Sequence, residues 1–252
     1  MKNLAIILPY YKRTELTKLC FKSLERQRKK FGFTVFVCGD DTTIVPKSFK
    51  VVKCDNNPLG NKLNTLLKAT KGFDAVTVIG SDDFISDSVF ELFNTLDLSK
   101  EVYYGFNNIH IYSVWHDKLA TDSAYCKSGH TIGVCRLWTK PTLEKMNYTL
   151  WTVSKENGLD GDSKRNMNVK GIKEIILPYA DHFIVDVKQD YNITSPDLVN
   201  TCDTIEDVNM IVARLGKIGN EILSLETGST RQIKRQKMSR EQRKQIKRDR
   251  RK

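Results

Sequence analysis

Apolar runs rich in β-branched side chains recur through the first ninety residues of this chain, and each one breaks at a polar turn. Leu4-Ala-Ile-Ile-Leu8 reads as a buried strand ended by Pro9, Phe33-Thr-Val-Phe-Val37 as a second, Lys50-Val-Val-Lys53 as a short third and Val76-Thr-Val-Ile79 as a fourth. Thr14 is an N-cap for a helix to about Lys30, on which Leu16, Leu19, Cys20, Ser23, Leu24 and Gln27 share a face while Lys18, Lys22 and Arg26 lie largely elsewhere. Asn56-Asn57-Pro58-Leu59-Gly60 reads as a turn and residues 61–70 as a second helix. The resulting β-α-β-β-α-β order, with polar residues at the strand ends, predicts an α/β chain with a Rossmann-like nucleotide-binding sheet.

Beyond residue 90 the pattern is looser. A helix, a turn and a strand fit Leu92 to Tyr104, and Ile109 to Trp115 alternates as a hairpin strand. Ile175-Ile-Leu177 and Phe183-Ile-Val-Asp-Val187 supply two more strands. Residues 195–224 read as mostly helical, with Val208, Ile211, Val212, Leu215 and Ile218 at core spacing. No internal repeat is visible.

Composition narrows the class. A chain of 252 residues with 40% hydrophobic content can bury a sizeable core without disulfides or metals. The six cysteines (Cys20, Cys38, Cys54, Cys126, Cys135, Cys202) form no C-x-x-C pair, which predicts reduced thiols in a cytoplasmic protein. Leu4 to Leu8 is too short for the apolar core of a signal peptide, and no transmembrane run follows. The net charge of +11 is segregated: residues 229–252 hold 12 Lys or Arg against Glu241 and Asp249, which leaves residues 1–228 with 29 basic and 28 acidic side chains. Two units follow, a nearly neutral domain over 1–228 and a basic tail over 229–252 with Thr227-Gly-Ser-Thr230 as the boundary. The tail reads as a disordered or fitfully helical arm whose partner would be nucleic acid or an anionic membrane surface, with a partnerless solubilising tail as the alternative.

The candidate chemistry starts at Gly80-Ser81-Asp82-Asp83, where the fourth strand stops. Paired carboxylates outside the carboxyl end of a parallel strand suit a hard divalent cation, magnesium or manganese, on the phosphates of a ligand. The plain alternative is a turn with solvated Asp side chains. Neither G-x-G-x-x-G nor G-x-x-x-x-G-K-[ST] is present, which disfavours dinucleotide enzymes and P-loop NTPases.

Four segments in order resemble family-2 glycosyltransferases of the GT-A fold. Leu8-Pro9-Tyr10-Tyr11-Lys12-Arg13 resembles their opening P-x-Y-N-R, and Val37-Cys-Gly-Asp-Asp-Thr42 their V-D-D-G-S nucleotide segment. Pro58-Leu-Gly-Asn-Lys-Leu-Asn64 resembles the G…A-R-N segment, and Gly80-Ser-Asp-Asp83 sits where they carry the D-x-D metal motif. The compact length is similar to phage-encoded members. The resemblance implies a nucleotide-diphosphate sugar donor and an unnamed acceptor, with Pro9, Tyr11, Arg13, Asp40, Asp41, Gly60, Lys62, Asn64 and Ser81 on the donor. It implies a metal held by Asp82 and Asp83, with His182 as a third ligand; Asp186, Lys188 and Asn192 follow on the same strand and face the nucleotide.

It further implies inverting transfer with an acidic base, for which Asp160 is the first choice and Asp162 the second, against a helix N-cap as the structural alternative. This sequence departs from the family pattern at Gly80 and Gly39, each in place of an Asp, and at Lys62 in place of an Arg, which loses the planar fork. Competing readings are a sugar nucleotidyltransferase, disfavoured by the absence of glycine after the first strand, and a nucleic-acid-binding or scaffolding protein on an inactive core.

Overall fold

The computed structural model describes residues 3–12, 14–122, 127–189, 196–202 and 204–225. Arg13, Asn192 and the basic tail therefore lie outside the described residues.

The first strand, β1 (Leu4–Pro9), lies inside the larger sheet. It pairs in parallel with β2 (Thr34–Cys38) on one side and β4 (Ala75–Val78) on the other, and β2 pairs with β3 (Lys50–Val51). Strand β9 (Leu137–Thr139) lies antiparallel between β4 and β6 (Val102–Gly105), and β10 (Lys173–Ile176) closes the edge. The seven-stranded order is β10-β6-β9-β4-β1-β2-β3. Its β3-β2-β1-β4 half is the Rossmann-like order predicted from the apolar runs.

Both faces of this sheet are covered, which is why β1 is apolar at every position. Ile6 and Leu8 point to one core with Leu16, Leu19, Cys20 and Leu24 of α1 (Thr14–Phe31), while Ala5 and Ile7 point to another with Leu63, Leu66 and Leu67 of α2 (Leu59–Lys68). The polar members of the predicted α1 face, Ser23 and Gln27, are buried too, and Gln27 donates to the Ile85 carbonyl at 2.6 Å.

A second sheet was not anticipated. Its order is β12-β8-β7-β11-β5, built from β5 (Asp83–Ile85), β7 (Ile109–Ser113), β8 (Lys118–Asp122), β11 (Ile184–Lys188) and β12 (Thr204–Glu206). Helix α3 (Asp87–Thr95) follows β5, α4 (Lys140–Lys145) follows β9 and α5 (Leu159–Val169) precedes β10. The stretch read as mostly helical begins instead with a 3₁₀ turn (Pro196–Thr201) and β12, and only then reaches α6 (Asn209–Leu215) and α7 (Lys217–Leu223). Gly216, at φ 58°, separates those two helices, and Ile211, Leu215 and Ile218 are buried as their spacing predicted. The α/β class expected from the sequence is the class the chain adopts. Among the described residues no helix is long and apolar enough to cross a membrane.

One expectation is corrected. Cys38 and Cys54 are joined as a disulfide, not held as thiols. The parallel pairing of β2 with β3 carries the two chain ends to a Cα separation of 6.4 Å, a proximity that a separation of 16 residues in sequence does not announce.

Candidate active site

The turn after β4 is held by its own polar atoms. The Asp83 amide donates to the Gly80 carbonyl at 3.2 Å, and the Gly80 amide donates to Asp83 Oδ2 at 2.6 Å. The thiol of Cys20 on α1 reaches the carbonyls of Gly80 and Asp83 from beneath, at 3.7 and 3.5 Å. Asp83 then begins β5, which pairs antiparallel with β11 so that Asp186 stands directly opposite Asp83. The Val187 amide donates to the Asp82 carbonyl at 2.9 Å and pins the remaining corner.

This pairing brings three carboxylates together: oxygens of Asp82, Asp83 and Asp186 lie within 4.8 Å of one another. Asp83 is buried, and that burial, followed by the charges of Asp186 and Asp82, pushes its carboxyl well above the ordinary range. Lys188, two residues beyond Asp186 and on the same side of the strand, is also buried and donates its ammonium to Asp186. Burial alone would lower Lys188, but Asp186 and then Asp82 and Asp83 outweigh it and raise it above its usual value. A set of three carboxylate donors whose mutual repulsion one ammonium offsets only in part fits a magnesium or manganese ion.

His182 does not join this group. Its ring lies 5.7 Å from that of Phe106, and burial lowers its pKa. Asp186 stands where His182 was expected. The available signal was an acidic side chain two residues before a lysine within the otherwise apolar run Ile184-Val185-Asp186-Val187-Lys188, but its closeness to Asp83 required a pairing between distant strands.

The residues that the resemblance assigned to the donor differ in exposure and in partners. Pro9 ends β1, and Tyr11 beyond it is 44% exposed. Tyr10 is buried, donates its hydroxyl to the Asp41 carbonyl at 2.7 Å and lies flat against Gly39. A Cβ at residue 39 would come within 2.2 to 2.4 Å of the Tyr10 ring, so the Gly that replaces the family's Asp is required by that ring. Asp40 is exposed and its carboxylate accepts from the Lys12 amide at 3.4 Å. Asp41 caps the following 3₁₀ turn, and the Thr43 hydroxyl and amide hold its carboxyl below the usual range.

Lys62, Asn64 and Gly60 turn inward. Lys62 is buried and donates to the Tyr10 carbonyl at 2.8 Å and to Asn56 Oδ1 at 2.9 Å; burial pushes its pKa down to about 8, with Asp40 opposing. Its ammonium braces the loop after β1 from below. Asn64 accepts from the Leu150 and Trp151 amides at 3.0 and 3.2 Å and donates to the Trp151 carbonyl at 2.7 Å. The Gly60 amide donates to the Lys155 carbonyl at 2.8 Å, and a Cβ there would meet the Thr152 carbonyl oxygen at 2.3 Å. All three are bonded to, or packed against, the chain's own backbone. Ser81 is buried, and its hydroxyl has no partner among the described residues.

The two acidic residues of α5 separate by role. Asp162 is buried and accepts from the Thr152 amide at 2.6 Å and the Thr152 hydroxyl at 3.1 Å, closing the 150–156 segment that α2 grips from its other side. Asp160 is half-buried and accepts from the Gly133 amide at 3.1 Å. The cap of α5 is Gly158, so Asp160 is not the N-cap. Arg136 fixes this junction: its guanidinium, buried without a carboxylate partner, donates to the Asp160 carbonyl, the Ser163 hydroxyl and both oxygens of Thr131. Two residues past Gly133, the Cys135 amide donates to the Val78 carbonyl at the end of β4, and burial followed by the charge of Asp83 pushes the Cys135 thiol up. One short segment thus bonds Asp160 at one end and the last residue of β4 at the other.

No protein-family model matches this chain, and no curated protein matches it either. Among solved structures it is similar to S. aureus TarS 1–349, with 15% identity over 89% of this chain and 70% of that one, at a TM-score of 0.46. It is similar also to a mutant of Drosophila β1,4-galactosyltransferase 7 in complex with manganese, UDP-Gal and xylobiose, with 12% identity over 86% of this chain and 76% of that one, at a TM-score of 0.43. A third is a glycosyltransferase involved in glycosylation of the major capsid of PBCV-1, with 10% identity over 79% of this chain and 97% of that one, at 0.43. At these identities, functional weight falls on the residues just described.

Proposed function

We propose that this chain is a glycosyltransferase that moves a sugar from a nucleotide-diphosphate sugar to an acceptor hydroxyl, with inversion at the anomeric carbon. The observation that carries the reading is the meeting of Asp82, Asp83 and Asp186 beyond the carboxyl end of β4, with the 133–135 loop bonded both to the last residue of that strand and to Asp160. Ligands of open α/β sheets bind at that end of the strands. Magnesium or manganese held by those carboxylates would neutralise the charge that builds on a departing diphosphate.

The remaining work falls to the chain. Tyr11 offers an exposed ring to the base, and Asp40 an exposed carboxylate to the uracil or ribose. Asp160 is the base, taking the proton of the acceptor hydroxyl on its carboxylate as the oxygen attacks from the face opposite the leaving group. The Gly133 amide donates to that carboxylate, and Arg136 anchors the backbone carbonyl of the same residue. Asp162 is committed to Thr152 and serves structure.

The test is release of nucleoside diphosphate from a panel of nucleotide-diphosphate sugars with manganese, using the wild type, Asp82→Asn and Asp160→Asn. Turnover that vanishes with chelator and in Asp82→Asn, and that falls about 100-fold in Asp160→Asn with donor affinity retained, supports the reading. Full activity of Asp82→Asn, or turnover indifferent to chelator, refutes the metal assignment, and failure of every donor to bind refutes the function. A nucleotidyltransferase would instead release pyrophosphate from a nucleoside triphosphate and a sugar phosphate.

A further inference from the structure

We infer that Lys188 is the built-in counter-ion of the carboxylate group, and that a divalent ion binding there does so against its ammonium. The inference rests on the metal reading of Asp82, Asp83 and Asp186 given above. Strand β11 carries both partners: Asp186 opposite Asp83 and Lys188 two residues later, so the pleat turns both side chains to the same side. Lys188 is only 5% exposed, and its ammonium is bonded to Asp186. A lysine buried to that degree stands where carboxylates compensate it. Opposite Lys188, strand β7 presents Ser113, which is buried and carries no charge.

The consequence for a metal is electrostatic. Three carboxylates against one ammonium leave two formal negative charges, the complement of one divalent ion. An ion joining Asp186 lies near a like charge in a poorly screened place, and that repulsion weakens its binding. Lys188 therefore sets the affinity of the site, and it keeps one positive charge at the edge whether or not the ion is bound. Its role is to position and balance the carboxylates.

The experiment is a titration of the full chain with manganese, following free Mn2+ by electron paramagnetic resonance at fixed pH and ionic strength. Lys188→Met is expected to bind manganese at least tenfold more tightly than the wild type, whereas Asp82→Asn binds little in either background. Lys188→Gln keeps a hydrogen-bond donor for Asp186 without the charge; it is expected to show the same gain and takes over if the Met variant does not fold. Equal or weaker affinity in the folded Met or Gln variant overturns the role of Lys188 while leaving the metal site standing. Absence of manganese binding at millimolar ion in the wild type and both variants overturns the inference together with the metal reading.

Discussion

The most exacting test of the site is a single methyl group at Gly133. A Cβ built there would lie 1.9 Å from Asp160 Oδ1, 2.3 Å from Cγ and 2.6 Å from Oδ2, so all three carboxylate atoms obstruct it. Ordinary van der Waals contact between carbon atoms begins near about 3.5 Å, and Gly133→Ala must therefore drive the carboxylate away by roughly 1 Å or more. A displacement of about 1 Å at a reacting group costs on the order of 100-fold in rate. Removing the base altogether, as in Asp160→Asn, costs about 100-fold to 10,000-fold. The two substitutions act on one interaction, so the double variant should turn over no more slowly than Asp160→Asn alone. Donor affinity should stay within a few-fold in all three. Breaking the 3.1 Å bond from the Gly133 amide to Asp160 also costs about 1.5–3 kcal/mol, as hydrogen bonds to charged groups do, and urea unfolding reads that separately from turnover. Undiminished turnover in Gly133→Ala, or rate losses that multiply in the double variant, would show that Asp160 is not the base held by this loop.

Two further outcomes follow from the charges. Lys62 has its pKa lowered from 10.5 to about 8, so between those values the unfolded chain binds more protons than the native one and stability should rise with pH. The stability difference between wild type and Lys62→Met should therefore move in favour of the wild type by at most about 1.4 kcal/mol per pH unit across that window; a difference flat with pH refutes the burial argument. For the tail, deletion of residues 229–252 should leave transfer to a small soluble acceptor unchanged while abolishing salt-sensitive binding to DNA or acidic vesicles, measured at matched ionic strength; loss of the chemistry would instead show that the tail completes the site.

The parts legible in the sequence are those that local pattern dictates. The unbroken apolar run of Leu4 to Leu8, the stripe on α1 and the abrupt polar stop at Gly80 follow from burial and turn chemistry, and the structure has all three. The second sheet was illegible because β5 and β12 are three residues each, too short for any periodicity, and because β5 finds its partner in a strand near the far end of the chain. That same pairing hid how close Asp186, which the sequence reading had turned toward the nucleotide, stands to Asp83. The resemblance assigned Lys62 and Asn64 to the donor, whereas their polar atoms are bonded to the chain itself. Lys62 and Asn64 point inward because the loop after β1 and the 150–156 segment both need buried polar partners there, and side-chain direction is not written in a motif.

Gly80 shows why the serial motif misleads and the spatial one does not. A residue with a side chain at that position would place its Cβ 2.6 Å from Asp83 Oδ2 and 2.9 Å from Asp82 Oδ1. The room a first Asp would need is already filled by carboxylate, because Asp83 folds back to accept from the Gly80 amide. Gly80→Asp would therefore not complete the family pattern; it would drive a third charge into two others in a place where Asp83 is already held well above the ordinary carboxylate range. Asp186 supplies the third carboxylate from across the sheet, and Lys188 comes with it on the same strand to offset the repulsion. The glycine in the turn and the Asp and Lys on β11 are thus one arrangement, in which the three carboxylates are gathered by strand pairing as well as by adjacent residues.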